Sequence, residues 1–252
     1  DEASDVVVSL TSFPARIDHA WIAVESLLQQ DAPPRRVVLV LASPEFPGRE
    51  VPTELRRQQE RGLEILWTDR NTRSYKKLLP TRQAYPGATI VTVDDDVLYE
   101  PQMLSALCSA ARECPNAVIG HTGSVVTAGR KSMLPYRQWP RADRSTPRHR
   151  VLLTGNGGIL YPPNALPPAL LEDYELAARL CPTGDDIWFW AVARAANVPV
   201  MCLGNHDLHM LRYQQSTPQL ATLNWGQDYN DVQLRNVSEH FGFFDTLVDD
   251  EP

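Results

Sequence analysis

The stretch ATIVTVDDDVLYEP, residues 88–101, places three consecutive aspartates directly after a run of apolar and β-branched residues. The run Ala88–Val93 predicts a buried strand, because β-branched residues favour strands and no charge interrupts it. Like charges repel at this spacing, and carboxylates are costly to bury unless a cation lies among them. The triplet Asp94–Asp96 therefore indicates a site that holds a cation.

Further strand-like and helix-like segments alternate before the triplet. The apolar runs are DVVVSLTS (5–12), RRVVLVLAS (35–43) and LEILWTD (63–69), and the helix-like segments are AWIAVESLLQQ (20–30), PTELRRQQERG (52–62) and YKKLLPTRQAYPG (75–87). Continuous apolar strands separated by helices predict a mostly parallel sheet with helices on both faces. Such sheets bind ligands at the carboxyl ends of their strands, which here carry Thr11, Ser12, Asp69 and the triplet.

The second half of the chain is richer in loops. PQMLSALCSAAREC (101–114) and TGDDIWFWAVARAAN (183–197) have helical spacing, and VPVMCLG (198–204) predicts a strand. Between them, a Pro-, Arg- and Gly-rich segment from about residue 120 to 150 predicts long ordered loops, since aromatic residues are interleaved with the prolines.

Composition excludes several classes of protein. The 252 residues are 43% hydrophobic and 22% charged, which is ordinary for a globular domain. A formal charge of −7 argues against nonspecific binding to nucleic acid. The four cysteines have neither Cys-x-x-Cys nor zinc-like spacing, so we expect reduced thiols and a cytoplasmic protein. No apolar run has the length of a membrane span.

The triplet has two explanations. On a strand, alternate residues share a face, so Asp94 and Asp96 are expected to point the same way, about 6–7 Å apart, with Asp95 opposite. Such a pair suits a hard divalent cation, Mg²⁺ or Mn²⁺, with water completing its shell. Alternatively, the acids precede a helix and gain from its dipole. A third acid at the ligand edge of a sheet favours the metal.

The order of these elements resembles the nucleotide-sugar-dependent glycosyltransferases of the GT-A fold. The stretches that carry the resemblance are VVVSLTSFPARI (6–17), SLLQQDAPPRRVVLVLAS (26–43), SYKKLLPTRQAYPGATIVTVDDDVLYEP (74–101), TGNGGILYPP (154–163) and TGDDIWFWAVARAANVPV (183–200). Together they look like a bacterial branch of the family-2-like enzymes, often tied to surface polysaccharide such as capsule. One departure is Ala42-Ser43-Pro44, where the common pattern has an acid-rich turn that contacts the nucleotide.

The resemblance implies an α/β fold of GT-A type: a Rossmann-like, mostly parallel sheet flanked by helices, with a loop-rich acceptor side. We expect a single domain over residues 1–252, with a nucleotide-binding half (1–100), an acceptor and catalytic half (101–209) and a C-terminal extension (210–252). Within that extension, NWGQDYNDVQLRN (224–236) is interpreted as a lid or an acceptor-side helix.

The resemblance also implies roles for the polar residues of the nucleotide-binding half. The metal would be held by Asp94, Asp96 and His206, with His209 as the alternative histidine. The donor would contact Thr11, Ser12, Arg16, Asp69, Lys76, Lys77, Asp94 and Asp95. A lysine would serve the diphosphate as a point charge. Each of these residues also has an explanation without a ligand. Arg16 would be a solvated loop arginine, Asp69 a turn residue at a strand end, and the two lysines exposed residues at a helix start.

Acceptor contacts are expected from Asn156, Gly157, Gly158 and Trp188. Glycines allow a backbone to approach a sugar closely, an asparagine both donates and accepts hydrogen bonds, and an indole offers a stacking face. From the residues alone, Asn-Gly is equally the strongest short signal for a β-hairpin.

Catalysis would depend on Asp185 and Asp186. In the resembled enzymes the second acid of this pair is the base that takes the proton of the acceptor hydroxyl, which corresponds to Asp186. The residues alone also fit a capping box, because Thr183-x-x-Asp186 has the required spacing.

The sequence thus predicts a metal-dependent glycosyltransferase that moves a sugar from a nucleotide-diphosphate sugar, with UDP favoured, to a hydroxyl of a saccharide acceptor. The anomeric configuration would invert, although a retaining mechanism remains open. Its place would be the cytoplasm, at the inner face of a bacterial membrane. The rivals are a metal-dependent nucleotidyl- or phosphotransferase and a non-catalytic carbohydrate-binding module that uses Trp139 and Trp188.

Overall fold

The computed structural model describes residues 5–129, 132–205, 211–212, 224 and 228–244. Its strands are β1 (Val6–Thr11), β2 (Arg36–Ala42), β3 (Leu63–Thr68), β4 (Thr89–Thr92), β5 (Val97–Leu98), β6 (Val118–Gly120), β7 (Gly123–Val125), β8 (Val151–Leu153), β9 (Ile159–Tyr161), β10 (Val200–Cys202) and β11 (Leu211–Arg212). Its helices are α1 (Ile17–Leu28), α2 (Thr53–Gln59), α3 (Leu79–Ala84), α4 (Met103–Glu113), α5 (Pro168–Leu171), α6 (Tyr174–Leu180), α7 (Asp185–Ala195) and α8 (Tyr229–Phe241).

In this part of the chain, seven strands form one sheet in the order β10-β6-β9-β4-β1-β2-β3. Strand β9 runs antiparallel to both β4 and β6, and the other neighbours are parallel. The predicted mostly parallel sheet is therefore confirmed. Smaller antiparallel pairs are β11 with β5 and β7 with β8.

Both faces of the sheet are buried, which explains the continuous apolar runs. Along β1, Val6, Val8 and Leu10 join the cluster that packs under α1 and α4, whereas Val7 belongs to a cluster on the opposite face. Helices α7 and α8 close that opposite face over the later strands, with Trp188 in their shared core. The predicted alternation of strands and helices thus yields helices on both sides.

All four cysteines are free, and three of them are buried. Across the residues described, no helix has the length and apolarity needed to cross a membrane.

Candidate active site

The aspartate triplet lies in and beside the turn after β4. Strand β4 ends at Thr92, and Asp95 and Asp96 occupy the turn that leads to β5. They are 7% and 5% exposed, and Arg16 reaches both, with its Nη2 2.6 Å from Asp95 Oδ1 and 2.8 Å from Asp96 Oδ2. The expected strand-like alternation of the triplet is wrong, because the strand ends first and the backbone turns.

Asp94 pairs with a second cation. Lys77, in the 3₁₀ turn Arg73–Lys77, is buried, and its Nζ lies 3.0 Å from Asp94 Oδ1 and 3.2 Å from Asp185 Oδ2. One ammonium group therefore joins the triplet to the acid pair at the start of α7. Burial acts to lower the pKa of Lys77, but Asp185 and Asp94 raise it well above its ordinary value. The lysine is charged, and it is not an exposed residue at a helix start.

Asp186 extends from the first turn of α7 toward the glycine turn Gly155–Gly157. Its Oδ2 accepts a hydrogen bond of 2.9 Å from the Gly155 amide. Gly184 occupies the N-cap position of α7, and among the described residues no side chain caps this helix. The capping-box interpretation of Thr183 and Asp186 is therefore wrong, because the carboxylate is committed to another element.

The surroundings of Asp186 suit proton transfer. Burial, followed by the charge of Asp185, raises the pKa of Asp186 to about 7, although Lys77 and the Gly155 amide act to lower it. A carboxyl group that titrates near neutral pH can accept a proton from a hydroxyl. As a whole residue, Asp186 is partly exposed, whereas Asp185 is buried.

The glycine turn does not form the hairpin that Asn-Gly favours. Strand β8 before it pairs with β7, and β9 after it pairs with β4 and β6, so the turn links two different sheets. Asn156 is partly exposed, and its side-chain Oδ1 accepts a hydrogen bond from Thr122 at 3.1 Å. The turn thus connects the acid pair to the partly exposed Asn156.

The two glycines after Asn156 face the protein interior. A Cβ on Gly157 would meet Thr122 Oγ1 at 2.6 Å, and one on Gly158 would meet Met103 Sδ at 3.2 Å. Gly158 also has φ +90°, which favours glycine. The prediction that Gly157 and Gly158 let an acceptor sugar approach the backbone is therefore wrong. The absence of a Cβ at these positions makes room for Thr122 and Met103 instead.

Trp188 is completely buried and packs against Phe241, with the ring centroids 6.2 Å apart. This burial contradicts the prediction that its face stacks on an acceptor sugar. The helical spacing of α7 directs Trp188 into the core, and a tryptophan that ends in the core carries the same sequence signal as one that lines a cleft.

Thr11, Ser12 and Asp69 do lie at the carboxyl ends of their strands. However, the Thr11 hydroxyl donates a hydrogen bond of 2.8 Å to the Val40 carbonyl of β2, and Ser12 is 2% exposed. Asp69 is exposed after β3, the outermost strand, three places from β4 in the sheet. A donor contact for these three residues stays a prediction.

Lys76 is turned away from the triplet. It is 2% exposed, and its Nζ donates to Glu45 Oε2 at 3.0 Å and to Asn71 Oδ1 at 2.9 Å. Glu45 lies in the 3₁₀ turn Ser43–Glu45 that follows β2. It comes directly after Ala42-Ser43-Pro44, the tripeptide that differs from the common pattern of the resembled enzymes. An acid is therefore present after β2, and it binds a lysine of the same chain.

The carboxylates of the triplet are of the ligand type that a hard divalent cation binds, and each of them is paired with Arg16 or Lys77 in this structure. Asp94 and Asp96 offer carboxylate oxygens, which Mg²⁺ and Mn²⁺ prefer, and the Asp94 side chain is 31% exposed. Within the described ranges, no three Asp, Glu, His or Cys side chains converge as metal ligands. The predicted third ligand, His206, and its alternative, His209, lie outside the described residues.

Tyr99 has a role in the site that its sequence position does not indicate. Its hydroxyl accepts a hydrogen bond from the Asp94 amide at 2.8 Å and donates to the Asn156 carbonyl at 3.2 Å, so it ties the triplet to the glycine turn. Its position in an apolar run indicates a core residue, and only the contact across 57 residues reveals the second role.

Gly155 provides a sharp test of this geometry. A Cβ there would lie 2.8 Å from Lys77 Nζ and 3.0 Å from Asp186 Oδ1, so we expect Gly155→Ala to push these groups apart and to cost about 1–3 kcal/mol of unfolding free energy. Chemical denaturation measures that loss. Gly87→Ala is the matched control, since a Cβ there meets nothing within 4 Å. Equal stability of the two variants would contradict the site as described.

Comparisons with known proteins place the fold. The chain matches the mannosyltransferase PcManGT from Pyrobaculum calidifontis, solved in complex with GDP-Man and Mn²⁺, at a TM-score of 0.55 and 15% identity over 90% of this chain and 62% of the other. It matches S. aureus TarS 1–349 in complex with UDP at a TM-score of 0.53 and 13% identity over 92% of this chain and 64% of that one. The chain thus spans about three fifths of these two structures and has the predicted GT-A fold.

A third similar structure is named for a synthase and not for a sugar transferase. It is the 4-diphosphocytidyl-2C-methyl-D-erythritol synthase from Anaerococcus prevotii, with a TM-score of 0.53 and 11% identity over 85% of this chain and 94% of the synthase. No family model matches the sequence, and no curated protein matches it. At these identities the likeness concerns the fold alone.

Proposed function

We propose that this chain is a glycosyltransferase that moves a sugar from a nucleotide-diphosphate sugar to a hydroxyl group of an acceptor. The observation that carries the proposal is the bridge made by Lys77, which brings the acids after β4 and the acids of α7 into one site. The two solved structures that contain GDP-Man and UDP support the choice of donor class.

On the donor side, Asp94 and Asp96 would hold Mg²⁺ or Mn²⁺, which when bound supplies positive charge to the diphosphate. Arg16 and Lys77 hold the same carboxylates in place in the present structure. Each of these cations is already paired with two carboxylates, so the local charge is negative, and the positive charge that a leaving diphosphate needs would come from the bound metal ion.

On the acceptor side, Asp186 would take the proton of the attacking hydroxyl. The Gly155 amide holds one carboxylate oxygen, which leaves the other oxygen, Oδ1, to act as base. Attack by the hydroxyl forms the new glycosidic bond as the bond to the diphosphate breaks, and the proton goes to Asp186. A single in-line displacement inverts the anomeric configuration.

This role makes the transfer rate depend on pH. Because the pKa of Asp186 is about 7, transfer should rise as pH increases through about 7 and Asp186 loses its proton. Asp185 raises that pKa, so Asp185→Asn should move the rise to lower pH. A pH profile of kcat/KM for the two proteins measures the shift. An unchanged profile would contradict the proposed tuning of the base.

Nucleotidyl transfer is the second candidate, because the cytidyl-named synthase shares the fold over nearly its whole length. The two reactions release different products: a sugar transferase releases a nucleoside diphosphate from its donor, whereas a nucleotidyltransferase releases pyrophosphate from a nucleoside triphosphate. Incubation with UDP- and GDP-sugars or with nucleoside triphosphates, followed by product analysis, separates them. Asp96→Asn serves as the inactive control, and Glu60→Gln, an exposed acid, as the active one.

A further inference from the structure

Thr183 lies two residues before Asp185, the first residue of α7. Side chains from the C-terminal part of the chain bind its polar groups. Its amide donates to Gln233 Oε1 at 3.0 Å, and its hydroxyl donates to Asn224 Oδ1 at 2.6 Å. Its carbonyl accepts a hydrogen bond of 3.0 Å from Asn224 Nδ2. Two amide side chains thus satisfy all three polar groups of one buried residue.

The side chain of Gln233 also confines the next residue, Gly184. A Cβ on Gly184 would meet the Gln233 amide nitrogen at 3.0 Å and its oxygen at 3.1 Å, and Gln233 is completely buried on α8. The turn Thr183–Gly184 therefore has little freedom to move, and it leads directly into Asp185 and Asp186.

Helix α8 also holds a neighbouring loop. Asp231 Oδ1 accepts a hydrogen bond of 2.7 Å from the Tyr136 amide, and Asn236 Nδ2 donates to the Leu180 carbonyl at 3.1 Å. The charge of Asp186 contributes, after burial, to raising the pKa of Tyr136 to about 12, so this loop lies within electrostatic reach of Asp186. Helix α8 thus contacts both the turn at Tyr136 and the end of α6 at Leu180.

We infer that Gln233 is a positioning residue for Asp186, and that α8 sets the acid pair against the glycine turn. The inference rests on the proposed function for its catalytic consequence. Geometrically, Asp186 has two supports: the Gly155 amide holds its carboxylate, and the clamp of Gln233 and Asn224 holds the turn before its helix. A buried amide that binds this turn determines where the first turn of α7 begins.

The test compares Gln233→Met, which keeps the volume of the side chain and removes its hydrogen bonds, with Glu239→Ala on the exposed side of α8. In Gln233→Met, kcat for sugar transfer should fall at least about tenfold, while KM for the donor changes less than about twofold. Glu239→Ala should match the parent protein. A KM effect alone, or an unchanged kcat, would overturn the inference.

Hydrogen exchange tests the same idea without relying on activity. The Gly155 amide reports on Asp186, since that carboxylate is its acceptor. Gln233→Met should speed exchange at Gly155, which lies outside the elements that Gln233 contacts. A purely local role would speed exchange at Thr183 only and would overturn the inference. If the parent protein transfers no sugar, the proposed function fails, and exchange at Gly155 still decides the positioning role.

If Gln233→Met does not fold, Thr183→Val replaces it, since this change removes the hydroxyl and keeps the amide donor. Slower transfer with faster Gly155 exchange supports the clamp, and unchanged values for both contradict it.

Discussion

Asp186→Asn should lower the rate of sugar transfer by about 10²–10⁴-fold, the usual contribution of a general base. The amide has nearly the shape of the carboxylate but cannot take a proton from a hydroxyl. Its carbonyl oxygen can still accept from Gly155, so the fold and the affinity for the nucleotide should stay the same. Turnover with saturating donor and acceptor measures the rate, and titration with the nucleoside diphosphate measures the affinity.

The control for this change is Asp173→Asn, an exposed acid that caps α6 and lies on another element. That variant should retain the parent rate. Transfer by Asp186→Asn within about tenfold of the parent rate would exclude Asp186 as the base and would leave the acid pair with a structural role.

Lys77→Met should have the largest effect on stability. Removal of one partner from a buried ion pair costs about 3–5 kcal/mol, because the remaining charge is left uncompensated. Here Asp94 and Asp185 would lose the cation that they contact, and Asp186 would lose a nearby positive charge. Urea denaturation at neutral pH measures the loss of unfolding free energy.

The loss should depend on pH in a defined direction. Without Lys77, the pKa of Asp186, which is already raised to about 7, rises further above its unfolded value, so the folded protein binds that proton more tightly. Unfolding free energy then falls as pH rises from about 4 to 7 and recovers on acidification. Lys77 itself, with a raised folded pKa, contributes its full charge throughout this range.

Arg56→Met, an exposed cation on α2, is the matched control and should change stability by less than about 1 kcal/mol at any pH in this range. A similar small change in Lys77→Met would show that its two carboxylate contacts do not stabilise the fold.

Much of the architecture was accessible from the sequence. Continuous apolar strands with intervening helices can pack only as a sheet buried on both faces, and polar residues at strand ends then gather at one edge. The triplet was expected at that edge, and the acid pair was expected at the start of a helix. Their connection was not, because the sequence does not say which carboxylate a buried lysine will meet.

The errors share a physical cause. Asn156-Gly157 carries a strong local hairpin signal, but β8 and β9 find better partners in different sheets. Thr183 has the spacing of a capping residue, yet the side-chain amides of Gln233 and Asn224 satisfy its polar groups. In each case a contact between residues far apart in sequence overrides a local preference, and local patterns contain no information about such contacts.

The most direct test of the central claim is a calorimetric titration of the protein with UDP and GDP, with and without Mn²⁺. The account predicts that at least one of these nucleotides binds, that Mn²⁺ tightens the binding, and that Asp96→Asn removes the effect of Mn²⁺. Ligand at about 100 times its Kd should also raise the unfolding free energy by about 2.7 kcal/mol. If neither UDP nor GDP binds in the presence of Mn²⁺, the result would contradict a donor site at residues 94–96.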